Sequence, residues 1–150
     1  NKLSEKLITL FDVSDNAGEE TVREVKTRIG QDFFRKMLIQ NYRGKCSITG
    51  LDIPEVLRAS HIVAWKDDKA NRMNPENGIL LSATYDAAFD KHLISFDEDY
   101  RMIVGQEIGE HYQTAITRDY FKKYEGKRIT LPSKFLPSQT LLQVHREMLK

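Results

Sequence analysis

A chain of 150 residues with 40% hydrophobic and 30% charged residues is long enough for one ordinary hydrophobic core and too short for two large domains. Its 23 Lys and Arg stand against 22 Asp and Glu, a formal net charge of +1, so gross charge neither supports nor excludes a nucleic-acid partner, for which a local patch would suffice. The single cysteine, Cys46, rules out an intramolecular disulfide and a cysteine-based zinc knuckle; no apolar run approaches a membrane span, and the expected setting is a reducing, cytoplasmic one.

Along the chain, "NKLSEKLITLFDVSD" has apolar residues at Leu3, Leu7, Ile8 and Leu10, the pattern of a short amphipathic helix or docking arm, and it lacks the long apolar core of a secretory signal. The start at Asn rather than Met, and an end at Lys150 within a helical pattern, lead to the expectation of a fragment of a longer polypeptide. The expected division is an arm or linker over 1–27 and a folded unit over 28–150. From Ile29 to Tyr42 the apolar residues Ile29, Phe33, Phe34, Met37, Leu38 and Ile39 recur at helical spacing, with Gly44 as the stop. "CSITG" and "ASHIVAW" read as two short strands, separated by a turn and a brief helical stretch. "KDDKANRMNPENG" is a polar loop punctuated by Asn-Pro and Asn-Gly. A helix is predicted after Ser82, then a hairpin over "ISFDEDYRMIV" turning at Asp97–Asp99, a helix near Glu107 to Tyr124, a Pro-containing loop "LPSKFLPS" and a closing helix from Gln139.

The chemistry-bearing residues gather between Ala59 and Ile94. His61 sits among apolar neighbours, so it is either a hydrogen-bonded histidine at a core edge or a reactive imidazole. Asp86 and Asp90 lie at i and i+4 and project from one helix face, where two like charges repel by roughly a few tenths of a kcal/mol. A shared divalent cation would reverse that sign, and two carboxylates suit Mg²⁺ or Mn²⁺ better than zinc. The alternative is a solvated face balanced by Lys91, although Ala87, Ala88 and Phe89 make the setting apolar. Asn77-Gly78 most simply marks a turn, and an asparagine there could also clamp the loop by bonding backbone groups across it.

In this order His61, Asn77, Asp86 and Asp90 resemble the HNH nuclease family, the ββα-metal finger. The longer run "CSITGLDIPEVLRASHIVAW…NPENGILLSATYDAAFDKHLISFD" is similar to the branch found in restriction-type endonucleases, with its C-x-I-T-G, A-x-H-I, N-G-L-x-L and F-D-x-x-L-I pattern. "RIGQDFFRKMLIQNYRGKC" and "LPSKFLPSQTLLQVHRE" look like its flanks, so the resemblance spans roughly Arg28 to Glu147. It implies an α+β fold, a ββα-metal finger embedded in flanking helices. It implies His61 as general base, Asn77 as loop brace, and Asp86 with Asp90 as the site of Mg²⁺ or Mn²⁺, with no structural zinc. Many members carry Asp or His where Ser60 stands, and His where Asp86 stands, so Ser60 is an additional candidate for the site; His92, two residues beyond Asp90, is another, as a second phosphate contact or a helix-terminal cation. Lys66, Lys69 and Arg72, in the adjoining loop, are candidate phosphate contacts.

The implied activity is metal-dependent hydrolysis of phosphodiester bonds in double-stranded DNA, as the catalytic domain of a restriction or modification-dependent enzyme. Two copies would serve two strands, and a further DNA-reading domain is expected in the full-length protein. The competing reading is a catalytically silent HNH-like module that binds DNA or protein; a purely helical structural domain fits the strand-loop-helix order poorly. Sequence assigns no chemistry to His111 or His145.

Overall fold

The computed structural model describes residues 19–64 and 66–150. Residues 1–18 of the predicted N-terminal arm, and Trp65, lie outside the described residues. Helix α1 spans Glu19–Asn41, so residues 19–27 continue the predicted helix toward the N-terminus. Its buried stripe of Gly30, Phe34 and Leu38, prolonged by Tyr42, recurs every fourth residue and turns one face to the core. Termination follows from backbone geometry: Arg43 and Gly44 adopt φ of 58° and 70°, and the Gly44 N–H donates to the Ile39 carbonyl at 2.7 Å.

The predicted "CSITG" strand is instead a turn. Gly50, at φ 80°, donates to the Cys46 carbonyl and Cys46 to that of Leu51, closing the segment on itself; only Ser47 reaches a strand, through Leu80. The glycine's left-handed conformation defeats the β-branched composition here. The true first strand, β1 (Leu57–His61), follows a 3-10 turn at Pro54–Val56 and pairs antiparallel with β2 (Gly78–Ser82), with His61 opposite Gly78 and Ser60 opposite Ile79. Helix α2 (Ala83–Asp90) follows β2 directly. A β-hairpin running into a helix is the expected ββα finger.

Both α1 and α2 pack on the hairpin, which accounts for β2 being buried along its whole length. Gly78 begins β2 in an extended conformation, φ −146° and ψ 153°, so it does not serve as a turn residue. A Cβ there would lie 2.5 Å from Phe34 and 2.6 Å from Leu38, and the missing side chain lets β2 approach α1.

A second hairpin, β3 (Ile94–Phe96) with β4 (Met102–Val104), forms where the acidic turn predicts it. The single predicted helix from Glu107 to Tyr124 breaks into α3 (Gln106–Gly109), α4 (Ala115–Thr117) and a π-helical turn over Arg118–Lys122. Gly109 and Thr114 interrupt a continuous helical face, and exposed Ile116 lacks a core to pack on. Helix α5 (Gln139–Arg146) starts at Ser138, whose Oγ accepts from Leu141 N–H, and packs on β3. Its buried Leu142 and His145 join a core centred on Phe34, Leu57, Leu80, Phe89 and Phe96. Among the described residues, no helix is long and apolar enough to cross a membrane.

Candidate active site

Strand alternation sends neighbours Ser60 and His61 to opposite faces of the hairpin. His61 turns toward α1 and stacks on Phe34, with ring centroids 4.0 Å apart and an interplanar angle of 11°. Its Nε2 lies 2.8 Å from the Arg72 carbonyl oxygen. A carbonyl can only accept, so Nε2 carries the proton, and in the neutral ring the basic lone pair resides on Nδ1. Burial pushes the imidazole below its usual pKa, opposed by the Arg72 carbonyl and the Asp86 carboxylate. The environment therefore favours the neutral form that a proton acceptor needs.

Ser60 turns toward α2. It is 3% exposed, and its hydroxyl donates to Oδ1 of Asp86 at 2.5 Å, linking the strand to the helix. Asp90 is exposed one turn further along α2. With His61, Asp67 and His92 it lines a cavity of about 120 Å³, to which Val144, His145 and Met148 of the C-terminal segment also contribute.

Asn77 is completely buried. Its side-chain carbonyl accepts from Val63 N–H at 2.9 Å, and its amide donates to the carbonyls of Val63 and Asn71, each at 3.1 Å. The Asn77 backbone carbonyl also accepts from Ile62 at 3.0 Å. Three side-chain bonds thus tie both ends of the 62–77 loop and hold the chain emerging from His61. Each buried backbone group orphaned by losing this side chain would cost about 1–3 kcal/mol. Asp68 and Asn74 cap the two 3-10 turns of that loop, which bring Arg72 to the imidazole.

Other candidates are distributed more widely. Lys66 and Lys69 are exposed on the loop, and neither lines the cavity; Arg72 contributes its backbone carbonyl to His61. His92 has φ 60°, just past the end of α2, where glycine is the usual residue. Its Nδ1 is buried with no hydrogen-bond partner among the described residues, and its ring centroid is 4.4 Å from that of His145. His145, unassigned by sequence, arrives at the cavity from α5, more than fifty residues beyond Asp90. Its Nε2 donates to the Phe89 carbonyl at 2.8 Å, its Nδ1 accepts from Ser95 Oγ at 2.9 Å, and burial lowers its pKa to about 4. Helical periodicity at Leu142 and His145 marks a buried face, but nothing local says what that face meets.

Asp86 and Asp90 carry the hard oxygens that a divalent cation would take; Asp90 lines the cavity and Asp86 does not. Among the described residues no three His, Cys, Asp or Glu side chains converge as a ligand cluster. Mg²⁺ commonly takes one or two carboxylates and completes its sphere with water and substrate phosphate.

With this geometry in place, comparison with known families gives a class. Residues 46–97, from the Cys46 turn through β3, match the family model described as HNH endonuclease. The family consists of nucleases that generally use a divalent metal ion, so phosphodiester hydrolysis in a nucleic acid is the activity implied for this segment. No curated protein matches the chain.

Proposed function

We propose that this protein is a Mg²⁺- or Mn²⁺-dependent endonuclease that hydrolyses double-stranded DNA, with His61 as general base. The observation that carries this reading is the His61 environment: a half-buried, neutral-favouring imidazole fixed by Phe34 and Arg72, beside a carboxylate-bearing helix.

Hydrolysis requires a proton acceptor for water, stabilisation of charge on the phosphate and help for the departing 3′ oxygen. His61 Nδ1 accepts the water proton, while the Arg72 carbonyl holds the ring in the required tautomer and orientation. Asn77 keeps the loop carrying Arg72 in register with β1. Asp86 and Asp90 would hold the cation, with Ser60 fixing the Asp86 carboxylate. When bound, the cation supplies Lewis-acid stabilisation of the phosphate and leaving oxygen. Lys66 and Lys69, exposed beside the site, are suited to backbone phosphates; His92 is placed at the cavity wall for a further phosphate contact.

A restriction or modification-dependent role rests on the extended motif similarity, and cutting both strands would engage two copies, each bringing one finger. Plasmid DNA incubated with Mg²⁺ or Mn²⁺ should be nicked or linearised, and EDTA should abolish the reaction. Cutting that survives both chelation and His61→Ala would sink this mechanism. A silent DNA- or protein-binding module has no chemical requirement for a neutral-favouring His61 that shares a cavity with Asp90, and that arrangement favours the enzyme.

A further inference from the structure

Charge that is balanced over the whole chain is strongly uneven in space. Residues 118–128, "RDYFKKYEGKR", hold five cations and two acids, a net +3 within a chain of net +1. Arg118, Lys122, Lys123, Lys127 and Arg128 are all exposed, as is Arg101 on the neighbouring strand edge. Among the described residues, none of these six is in an ion pair; the ion pairs found join Lys36 to Asp32 and Arg146 to Glu98.

Two features argue against a merely solvated face. Arg101 and Arg128 face each other across an isolated antiparallel bridge, an arrangement of like charges that weakens strand pairing. Their guanidinium groups are held by backbone carbonyls, Arg101 on Gly126 at 3.1 Å and Arg128 on Asp99 at 3.1 Å, which orders them next to the acidic turn Asp97–Asp99 without an ion pair to it among the described residues. The lysines are likewise ordered: Lys122 lies 5.7 Å from the Tyr112 ring centroid, and Lys123 and Lys127 lie 5.5 and 6.0 Å from that of Tyr124. Preordered cations lose less entropy when they meet an anion.

The same segment is fastened to the finger. The Tyr85 hydroxyl donates to the Tyr120 carbonyl at 2.7 Å, and the Tyr85 ring meets those of Tyr120, Phe121 and Tyr124. Tyr85 immediately precedes Asp86 on α2, and the segment includes the π-helical turn Arg118–Lys122. A fixed attachment to the metal-bearing helix suits a partner that also occupies the active site.

We infer that the exposed basic surface formed by residues 118–128 and Arg101 binds the phosphate backbone of double-stranded DNA and holds the duplex across the finger. This inference rests on the nuclease reading for its choice of partner. Each phosphate contact releases counterions, and its loss lowers the magnitude of the salt slope by about 0.9.

The test is fluorescence anisotropy of a labelled DNA duplex in EDTA, titrated with NaCl. The triple variant Lys122→Gln, Lys123→Gln, Lys127→Gln should lose about two to three from the slope magnitude and at least roughly tenfold in affinity at low salt. Removing the same charge from α1 and its following turn, with Lys26→Gln, Lys36→Gln, Lys45→Gln, should change both much less. Should the first variant fail to fold, Arg101→Gln with Arg128→Gln relieves the like-charge bridge and should show the same direction of change in a stable protein. Equal losses in the patch and control variants, unchanged affinity and slope, or wild-type protein that does not bind the duplex, overturn the inference; unchanged binding would leave the surface to an acidic protein.

Hydrolysis of bis(p-nitrophenyl) phosphate with Mn²⁺ tests the nuclease reading separately. Patch-dependent DNA binding without hydrolysis would support the surface and count against the nuclease. Hydrolysis with patch-independent binding would do the reverse.

Discussion

Two histidines on the wall of one cavity are built almost alike. His61 lies flat on Phe34, with centroids 4.0 Å apart, and His145 on Phe89 at 3.9 Å; each places Nε2 2.8 Å from a backbone carbonyl oxygen. The difference lies in their remaining surroundings. His145 is 3% exposed and commits Nδ1 to the Ser95 hydroxyl, so both ring nitrogens serve the fold. His61 is only half-buried, sits at the end of an antiparallel strand and feels the Asp86 carboxylate. Stacking and a carbonyl bond orient an imidazole; access and a charged neighbour decide whether its basicity is available for chemistry.

The largest expected effects would break this pair apart. His61→Ala should lower the DNA cleavage rate by about 10²–10⁴-fold, the range of a lost general base, with a smaller change in stability. His145→Ala should do the opposite, destabilising the fold by about 3 kcal/mol through a cavity and the orphaned Ser95 hydroxyl and Phe89 carbonyl. Plasmid-cleavage rates and urea unfolding of both variants measure the contrast, and equal loss of stability with equal loss of rate would erase it.

Acid should separate the two sites next. Burial lowers His145 from 6.5 to about 4, with His92 adding to the shift while the Phe89 carbonyl and Asp90 oppose it. Below pH 6.5 the unfolded chain therefore binds a proton that the folded chain resists. The stabilisation is present above that pH, declines on acidification and is lost below about pH 4, a total of order 3 kcal/mol. His61 is also shifted downward, so the acid limb of kcat/KM should have its midpoint below the ordinary histidine value of 6.5. In His145→Phe the stability curve should flatten while the acid limb of the rate persists. A rate limb that disappears with the stability limb would mean that unfolding, rather than His61, sets the profile.

A smaller effect should sharpen the role of Asp86, on the opposite face of the hairpin from His61. Ser60→Ala removes the hydroxyl that fixes Asp86 and should weaken Mn²⁺ binding by roughly 10–100-fold, as loss of an outer partner of a metal ligand does. Calorimetric Mn²⁺ titration measures it directly; an unchanged affinity would show that Asp86 needs no such support. Ser60→Asp should make folding more dependent on the cation, because two carboxylates would then face each other across the strand-helix contact.

Legibility varied from element to element for physical reasons. The α1 stripe, the β3–β4 hairpin and α5 were readable because local periodicity and turn residues agree with the final packing. "CSITG" misled because β-branched composition says strand, whereas Gly50 and the Cys46–Leu51 bond make a turn. The segment over 107–124 misled because residues with helical propensity found too little apolar surface to cover. At the site, the order His61, Asn77, Asp86, Asp90 was visible, but their partners were not. Phe34, Arg72 and Ser60 meet their targets only through pairing and packing, and His145 carries no local sign of the cavity it lines.

The sequence by itself determined the finger's chain order, the i, i+4 placement of the two aspartates and the presence of an amide able to tie the loop, because these depend on short-range spacing. Tertiary structure alone decided that Gly78 is a packing residue, that Ser60 bonds Asp86, and that one stacked histidine is buried with both ring nitrogens bonded while the other is half-buried with its pKa lowered. Those outcomes depend on which surfaces α1, α2 and α5 bury against the hairpins. That choice is made by contacts between residues far apart in the chain.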